Sequence, residues 1–523
     1  ELTFVEGKLY DDQYKQFAPT VGFAYDPFGT GKTSIRANYR LAYDRTNTFV
    51  FSSFIFQSAP GLTRSVTVRA SDSVFGGANN ALLRNGLPVL TATDRTPQQF
   101  RTPPAFSVNT LTVVDPELSS PRTHQYGVSF QREIGKGNVV EVNYIGRQGR
   151  KLFGGYDVNQ MDITNNGLLA AFRQLQDPAT RASVLTDPNF LINRLLAGDT
   201  RLRPVTTGGP LESGAQLLLR QAAGPLRAAN GTVVTNIVDA GGVANAAIFI
   251  NAGVRSSNTA IPVFQANGFS PFFFQPYPQF SGAVNVLDNN DISRYNALEI
   301  QISRRSRGGL GYQASYTLAK STDTRSFDPT FAIANRGNAQ STANTPFDIR
   351  DRRRNLARSD FDRRHALQGY FTYELPFGRG RRFLSDADGF VDRLVGGFEM
   401  AGIVRLYSGR PFTVYSGINT LSNVLQSPAN CNGCSPDMGS VGLNAAGRNA
   451  FFTAEQLAQF SAPEAGELGN TGRNFFTGPR LFQLDVTLGK RIKFDETRNL
   501  ELRMEAQNAT NTPSFDFPTA IIS

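Results

Sequence analysis

The sequence predicts an all-β fold: an antiparallel transmembrane β-barrel, present in part, with about ten clear strands and long loops. Three observations carry that prediction. Strand-length segments alternate apolar and polar residues with period two, giving each an apolar and a polar face. The segments come in pairs, with short turns inside a pair and long polar stretches between pairs. No apolar run approaches the roughly 18 residues of a transmembrane helix, so a membrane-spanning reading must be of the barrel kind.

The first pair is 17–26 with 33–45. Val21, Phe23 and Tyr25 alternate with Gly22 and Ala24; Ile35, Ala37, Tyr39, Leu41 and Tyr43 alternate with Arg36, Asn38 and Arg40. The connection ends in Gly31-Lys32-Thr33, as a phosphate-binding loop does. Such a loop needs glycine five positions before Gly31, where this chain has Asp26, and a strand pattern follows instead of a helix. The second pair is 122–133 with 138–149, in which Tyr126, Val128 and Phe130 answer Val140, Val142 and Tyr144. The third has the cleanest alternation. Leu298, Ile300 and Ile302 alternate with Glu299, Gln301 and Ser303; after SRGG, Leu310, Tyr312, Ala314, Tyr316 and Leu318 alternate with Gly311, Gln313, Ser315 and Thr317. Each arm is about ten residues long, matching the roughly 9–11 that cross a bilayer. The fourth pair, 365–375 with 396–407, has a longer Arg-rich connection, and the fifth is 480–494 with 499–508.

Between the pairs lie long segments at 46–121, 150–292, 321–364 and 408–479, expected to be extracellular loops opposite short periplasmic turns. A soluble β-sandwich would also alternate, but such long loops at every second connection are unusual there. Residues 167–198 carry helical spacing broken by Pro178 and Pro188. Residues 280–292 are expected to extend a hairpin that turns at Asp288-Asn289-Asn290-Asp291, either a plain Asx-rich turn or a calcium site.

Composition narrows the function classes. Charged residues make up 18 % and hydrophobic ones 40 %, with 49 Gly and 28 Pro, which suits many turns and argues against long helices. The net charge of +10 is scattered through strands and loops without a nucleic-acid-binding signature. A surface facing anionic lipopolysaccharide, or simple solubility, is the expected use. Two His (His124, His365) and two Cys (Cys431, Cys434) assemble no zinc set at recognisable spacing, and no cofactor is expected. Neither His has a nucleophile motif beside it, and no enzyme is expected.

Several stretches together resemble TonB-dependent outer-membrane receptors of the Oar-like kind, which carry a carboxypeptidase-regulatory-like domain. They are VGFAYDPFGTGKTSIRANY (21–39), SPRTHQYGVSFQRE (120–133), VNYIGRQGRKL (142–152), DFDRRHALQGYFTYELPFGRGRRF (360–383), SGRPFTV (408–414) and RMEAQNATNTPSF (503–515). The resemblance implies a 22-stranded barrel, filled by a plug domain and energised through TonB. Residues 1–523 would then be the later part of that barrel, with the plug and N-terminal domain absent. It implies residence in the outer membrane of a Gram-negative cell. The implied partners are outer-membrane lipid and lipopolysaccharide, the receptor's own plug, TonB and an unknown solute, with no nucleic acid. The implied function is energised import, or passage, of a scarce or bulky solute. The alternative is a surface adhesion or display barrel whose loops bind partners without transport; a passive porin fits the barrel but not the motifs. With no Trp, interfacial aromatic belts would rest on 16 Tyr and 41 Phe.

If the apolar face meets lipid, the polar set faces the lumen: Arg36, Asn38, Arg40, Glu141, Asn143, Glu299, Gln301, Gln313, Glu399, Arg405, Gln483, Asp485, Glu501, Arg503 and Glu505. Each either guides solute or contacts a plug, or simply joins a lattice of cross-strand pairs. The run Arg350, Arg352, Arg353, Arg354, Arg358, Arg363 and Arg364 either binds an anion or is neutralised by Asp348, Asp351, Asp360 and Asp362. Cys431 and Cys434, in a Pro/Gly/Asn-rich loop, are expected to form a small loop-stapling disulfide rather than a redox motif.

Overall fold

The computed structural model describes residues 7–8, 10–45, 111–135, 137–253, 262–280, 283–326, 346–494, 497–518 and 521–522. The expected loop at 46–121 therefore lies outside the described residues except for 111–121, as do turn residues Lys136 and Asp495. Ten strands follow one another in sequence order across a single antiparallel sheet. They are β1 (Thr20–Tyr25), β2 (Thr33–Tyr43), β3 (Arg122–Ile134), β4 (Asn138–Asp157), β5 (Val284–Arg307), β6 (Leu310–Asp323), β7 (His365–Glu374), β8 (Phe398–Tyr407), β9 (Leu481–Lys493) and β10 (Asn499–Ala506). All five expected hairpins are present. The β5–β6 turn closes on Gly308 and Gly309, both at positive φ (64° and 84°), and a Cβ on Gly309 would meet the Glu374 carbonyl oxygen at 3.0 Å.

The register is staggered. Tyr25, at the short-turn end of β1, begins a transverse row that runs through Ile35, Phe130, Val142, Ile300, Tyr316, Leu367 and Leu406 to Phe482. Leu406 and Phe482 stand at the opposite, long-connection ends of β8 and β9. A row that climbs from one end of the wall to the other is the shear that barrel closure requires.

Because the side-chain period is two, this register puts every row on one face or the other. The face bearing Ile300 stays apolar from β1 to β10, and it is the more exposed one: Val128 is 53 % exposed, Ile300 41 % and Leu298 38 %. Glu299 and Gln301, between them in sequence, are only half-buried, so polar groups are shielded while aliphatic ones face outward. A soluble sheet would do the reverse, and a membrane wall has this arrangement.

Two expectations are overturned. Asp288-Asn289-Asn290-Asp291 is not a turn: β5 runs through it without a break, and β4 accompanies it to Asp157 with register shifts near Gly149, Leu152 and Gly154. The ladder wins because a further strand, Leu111–Val114, pairs parallel to β5 at Val284–Leu287 and holds it extended. Within the stretches 150–292 and 408–479, expected as long polar loops, described residues outside β4 and β5 fold together into one body with a core. Helices α1 (Leu168–Gln176), α2 (Pro178–Val184), α3 (Leu191–Leu195), α4 (Gly214–Leu219) and α5 (Val243–Asn251) pack Phe172, Leu175, Ile192, Leu217, Val243 and Ile250 against Ile418, Leu421, Ala462 and Ala465 of the second stretch. Asp177 caps α2, with Pro178 in its first turn, and Ser213 with Gln216 forms a capping box on α4. The helical spacing of 167–198 is thus realised, and its interruptions fall beside Pro178 and Pro188. No helix among the described residues is long and apolar enough to cross a membrane.

Candidate functional site: the polar wall and its collar

The polar face is a continuous lattice. One transverse row reads Ser34, Gln131, Glu141, Gln301, Ser315, Gln368, Arg405 and Gln483. Gln313 Nε2 donates to Gln301 Oε1 at 3.1 Å, Tyr370 OH to Gln313 Oε1 at 3.3 Å, and Tyr407 OH to Gln368 Oε1 at 3.1 Å. Arg405 pairs with Asp485 at 3.3 Å; Asp485 also accepts from Gln483 Nε2 at 3.1 Å and from Asn508 N–H at 2.8 Å. On β9 and β10, Arg503 bridges Glu501 (3.0 Å) and Glu505 (3.6 Å), and Glu501 also meets Arg491 at 3.7 Å. Arg36, Asn38 and Arg40 extend the face on β2, opposite Ser129, Gly127 and Gln125. Asn143 lies opposite Glu299, and Glu399 opposite Glu374. All fifteen positions expected to line a lumen therefore share one face by register. Alternation alone missed the aromatic and aliphatic members of that face, among them Tyr370, Ile403 and Tyr407.

The other face carries both histidines. His365 opens β7 and His124 stands third in β3, both strands entering from a long connection, and each bonds a neighbouring tyrosine: Tyr39 OH to His124 Nδ1 at 2.9 Å, Tyr316 OH to His365 Nδ1 at 2.8 Å. With Tyr126 and Tyr144 (ring centroids 6.3 Å apart) these form an aromatic belt. Tyr25, Tyr312, Tyr373 and Phe398 supply one near the short turns.

Where the sheet meets the folded body, a collar of charges locks the two together. Arg473 pairs with Asp323, both side chains almost wholly buried (1 % and 2 % exposed), and donates to the Asp323 carbonyl at 2.9 Å. Arg358 donates to the carbonyls of Asn474 (3.1 Å) and Phe475 (2.5 Å) and to Thr477 Oγ1 (2.9 Å). Arg352 pairs with Asp288 at 2.5 Å beneath the Tyr156 ring, and Arg325 with Asp291 at 2.7 Å. Arg350 pairs with Asp348, Arg354 with Asp351, and Arg363 donates to the Ser408 carbonyl at 2.8 Å. Burial pushes the Asp362 carboxyl above its ordinary range, opposed by the Ser321 N–H that it accepts at 2.6 Å. Of the arginine run, Arg352, Arg358 and Arg363 are thus spent inside the protein, while Arg350, Arg353, Arg354 and Arg364 are exposed. Asp288 and Asp291, the acidic residues of the supposed calcium turn, are neutralised by arginines. No group of three or more His, Cys, Asp or Glu side chains fit to hold a metal occurs among the described residues.

Sequence reasoning missed Arg473, since a lone arginine in a Gly/Asn-rich stretch carries no local signal. Gly31-Lys32-Thr33 is a plain turn: Asp26 accepts from Gly31 N–H at 2.6 Å and Phe28 N–H at 3.1 Å, which hold its carboxyl below the ordinary range. Cys431 and Cys434 sit side by side, Cα atoms 5.7 Å apart, against Phe412, Phe460 and Phe476.

A family model described as an outer membrane β-barrel domain matches residues 4–523. The chain belongs to that family. Residence in the cell outer membrane follows for this outer membrane β-barrel, in keeping with its outward apolar face. Among solved structures it is similar to the outer membrane transporter YddB from Escherichia coli: 9 % identity, TM-score 0.35, covering 94 % of this chain and 36 % of that one. It is also similar to FpvA of Pseudomonas aeruginosa bound to heterologous pyoverdines (9 %, TM-score 0.31, 96 % and 30 %). The FrpB iron transporter of Neisseria meningitidis gives 7 % identity and a TM-score of 0.31, covering 96 % and 35 %. The chain spans about a third of the length of these structures. No curated protein sequence matches it.

Proposed function

We propose that this chain forms wall and capture cap in an Oar-like TonB-dependent receptor, importing a scarce or bulky solute with energy delivered through TonB. One observation carries the reading: a membrane-length polar wall ends, on its long-connection side, in a large folded body with its own core. A wall lined by Glu141, Gln301, Gln313, Arg405 and Asp485 suits a wet lumen, which in such a receptor is closed by a plug. The body, on the side where outer-membrane barrels place their extracellular loops, is positioned to catch solute before passage. The motifs at 21–39, 120–133, 360–383 and 503–515 favour an energised receptor over a passive porin.

The test uses the full-length receptor in cells with and without functional TonB. Solute accumulation should vanish without TonB or without the proton gradient. Removing body residues 158–283, which leaves the described β4–β5 pairing in place, should lower capture more than barrel assembly. Surface binding that persists without TonB, with no solute ever accumulated, would replace the receptor with an adhesin.

A further inference from the structure

Just beyond the aromatic belt, on the apolar face, the register gathers a cluster of cations. Arg122 on β3 lies directly opposite Arg150 on β4. One row toward the belt, Arg294 on β5 lies opposite Gln148, whose other neighbour is His124. Lys320 on β6 follows, opposite Asn296. Arg122, Arg294 and Lys320 are exposed, and Arg150 is half-buried. Arg122, Arg150 and Arg294 form no ion pair among the described residues, whereas the collar arginines a few residues away are paired. Lys320 lies within the field of Asp362. Among the described residues, no carboxylate occupies this face on β2 to β6 between the belt and the register shifts of β4 and β5: the positions are Tyr39, Leu41 and Tyr43, then Tyr126, Gly146, Gln148, Asn296 and Thr322 besides the cations and His124.

Like charges facing each other across a strand pair destabilise it unless an anion lies between them. Guanidinium groups suit a phosphate, which each can grip with two parallel hydrogen bonds. We propose that Arg122, Arg150 and Arg294, flanked by Lys320, form a binding site for the phosphate-bearing headgroup of an anionic outer-leaflet lipid. The acyl chains of that lipid run down over Val128, Tyr144, Leu298 and Ile300. The position selects a lipid over a free anion: charge and apolar wall are contiguous on one face, and a belt of tyrosines marks the depth at which headgroups sit. The proposal rests on the apolar face meeting lipid and on the long connections lying outside the cell. The first of these is tested on its own by a spin-label scan of β5 in bilayers, so the two can fail separately.

The test is lipid retention by the folded full-length receptor, read by native mass spectrometry during titration with bisphosphorylated lipid A in detergent. Arg122→Gln/Arg150→Gln/Arg294→Gln should raise the half-saturating concentration about a hundredfold, from roughly fivefold per cation near a membrane surface. An equal charge loss at the opposite end, Arg305→Gln/Arg379→Gln/Arg382→Gln, should leave it unchanged. Heat-modifiable gel mobility reports folding; should the triple variant not fold, Arg150→Gln alone carries the test, with about a fivefold loss expected. Dephosphorylated lipid A should bind the wild type no better than the triple variant does, and inorganic phosphate should not displace the intact lipid. Equal retention by wild type and variant, or equal loss in the control, would overturn the site. Displacement by inorganic phosphate would make it a free-anion site and overturn the lipid assignment.

Discussion

Replacing Ile300 by arginine puts a charge at the centre of the outward band of β5. That band runs from Asn296, which accepts the Tyr144 hydroxyl at 2.9 Å, to Arg304, opposite Tyr312, and Ile300 is midway. At about 3.3 Å per residue and a tilt of about 40°, Ile300 lies some 20 Å from the Gly308 turn, deep in the hydrocarbon layer. Its neighbours Val142 and Tyr316 offer no carboxylate, so the guanidinium has only lipid around it. The cost is then about 2–4 kcal/mol, or thirty- to seven-hundredfold in the folding equilibrium. Gln301→Arg, one residue along, lies between Glu141 and Ser315 on the polar face, where an added cation has a partner, and should cost under about 1 kcal/mol. The assay is denaturant titration of the complete barrel into lipid vesicles, comparing both variants with wild type. Equal penalties, or a larger one at Gln301, would refute the face assignment.

The collar and the loop cysteines give two further outcomes. Arg473→Met strands Asp323 in a nearly dry site and should cost about 3–5 kcal/mol, seen as protease cleavage of the body while the sheet stays resistant. Arg473→Met/Asp323→Leu should recover most of that loss, and no recovery would mean that Arg473 acts through its contacts to carbonyls instead. Maleimide should leave Cys431 and Cys434 unlabelled on intact cells until a reductant is added; labelling without reductant would mean free thiols.

The wall was legible because its information is local. Leu298, Glu299, Ile300 and Gln301 declare their faces by alternation alone, and once the hairpin turns are placed the register follows. Tyr370 and Ile403 break the apolar–polar pattern, and their face shows only through their partners on other strands. The body was illegible for a different reason. Its core joins Phe172, Leu175 and Val243 to Ile418, Leu421 and Ala462, from stretches separated by β5 to β8, so neither stretch shows a complete hydrophobic face. Asp288-Asn289-Asn290-Asp291 has the composition of a turn, but a turn is not formed when ladders on both sides continue. Its side chains instead bond outward: Asp288 to Arg352, Asp291 to Arg325, and Asn289 from its amide to the Lys151 carbonyl at 2.9 Å. Local propensity yielded to tertiary pairing there, as it commonly does in extended strands.

The central claim, that one face of this sheet meets lipid and the other water, is tested most directly by scanning β5 with a probe. In a Cys431→Ser/Cys434→Ser background, a spin label is placed singly at each position from Leu298 to Ser303 of the full-length protein in bilayers. Its collisions with lipid-soluble oxygen and with a water-soluble nickel chelate are then compared. The account predicts strict alternation: oxygen dominates at 298, 300 and 302, and the chelate at 299, 301 and 303. Alternation of the opposite phase, or none at all, would contradict it.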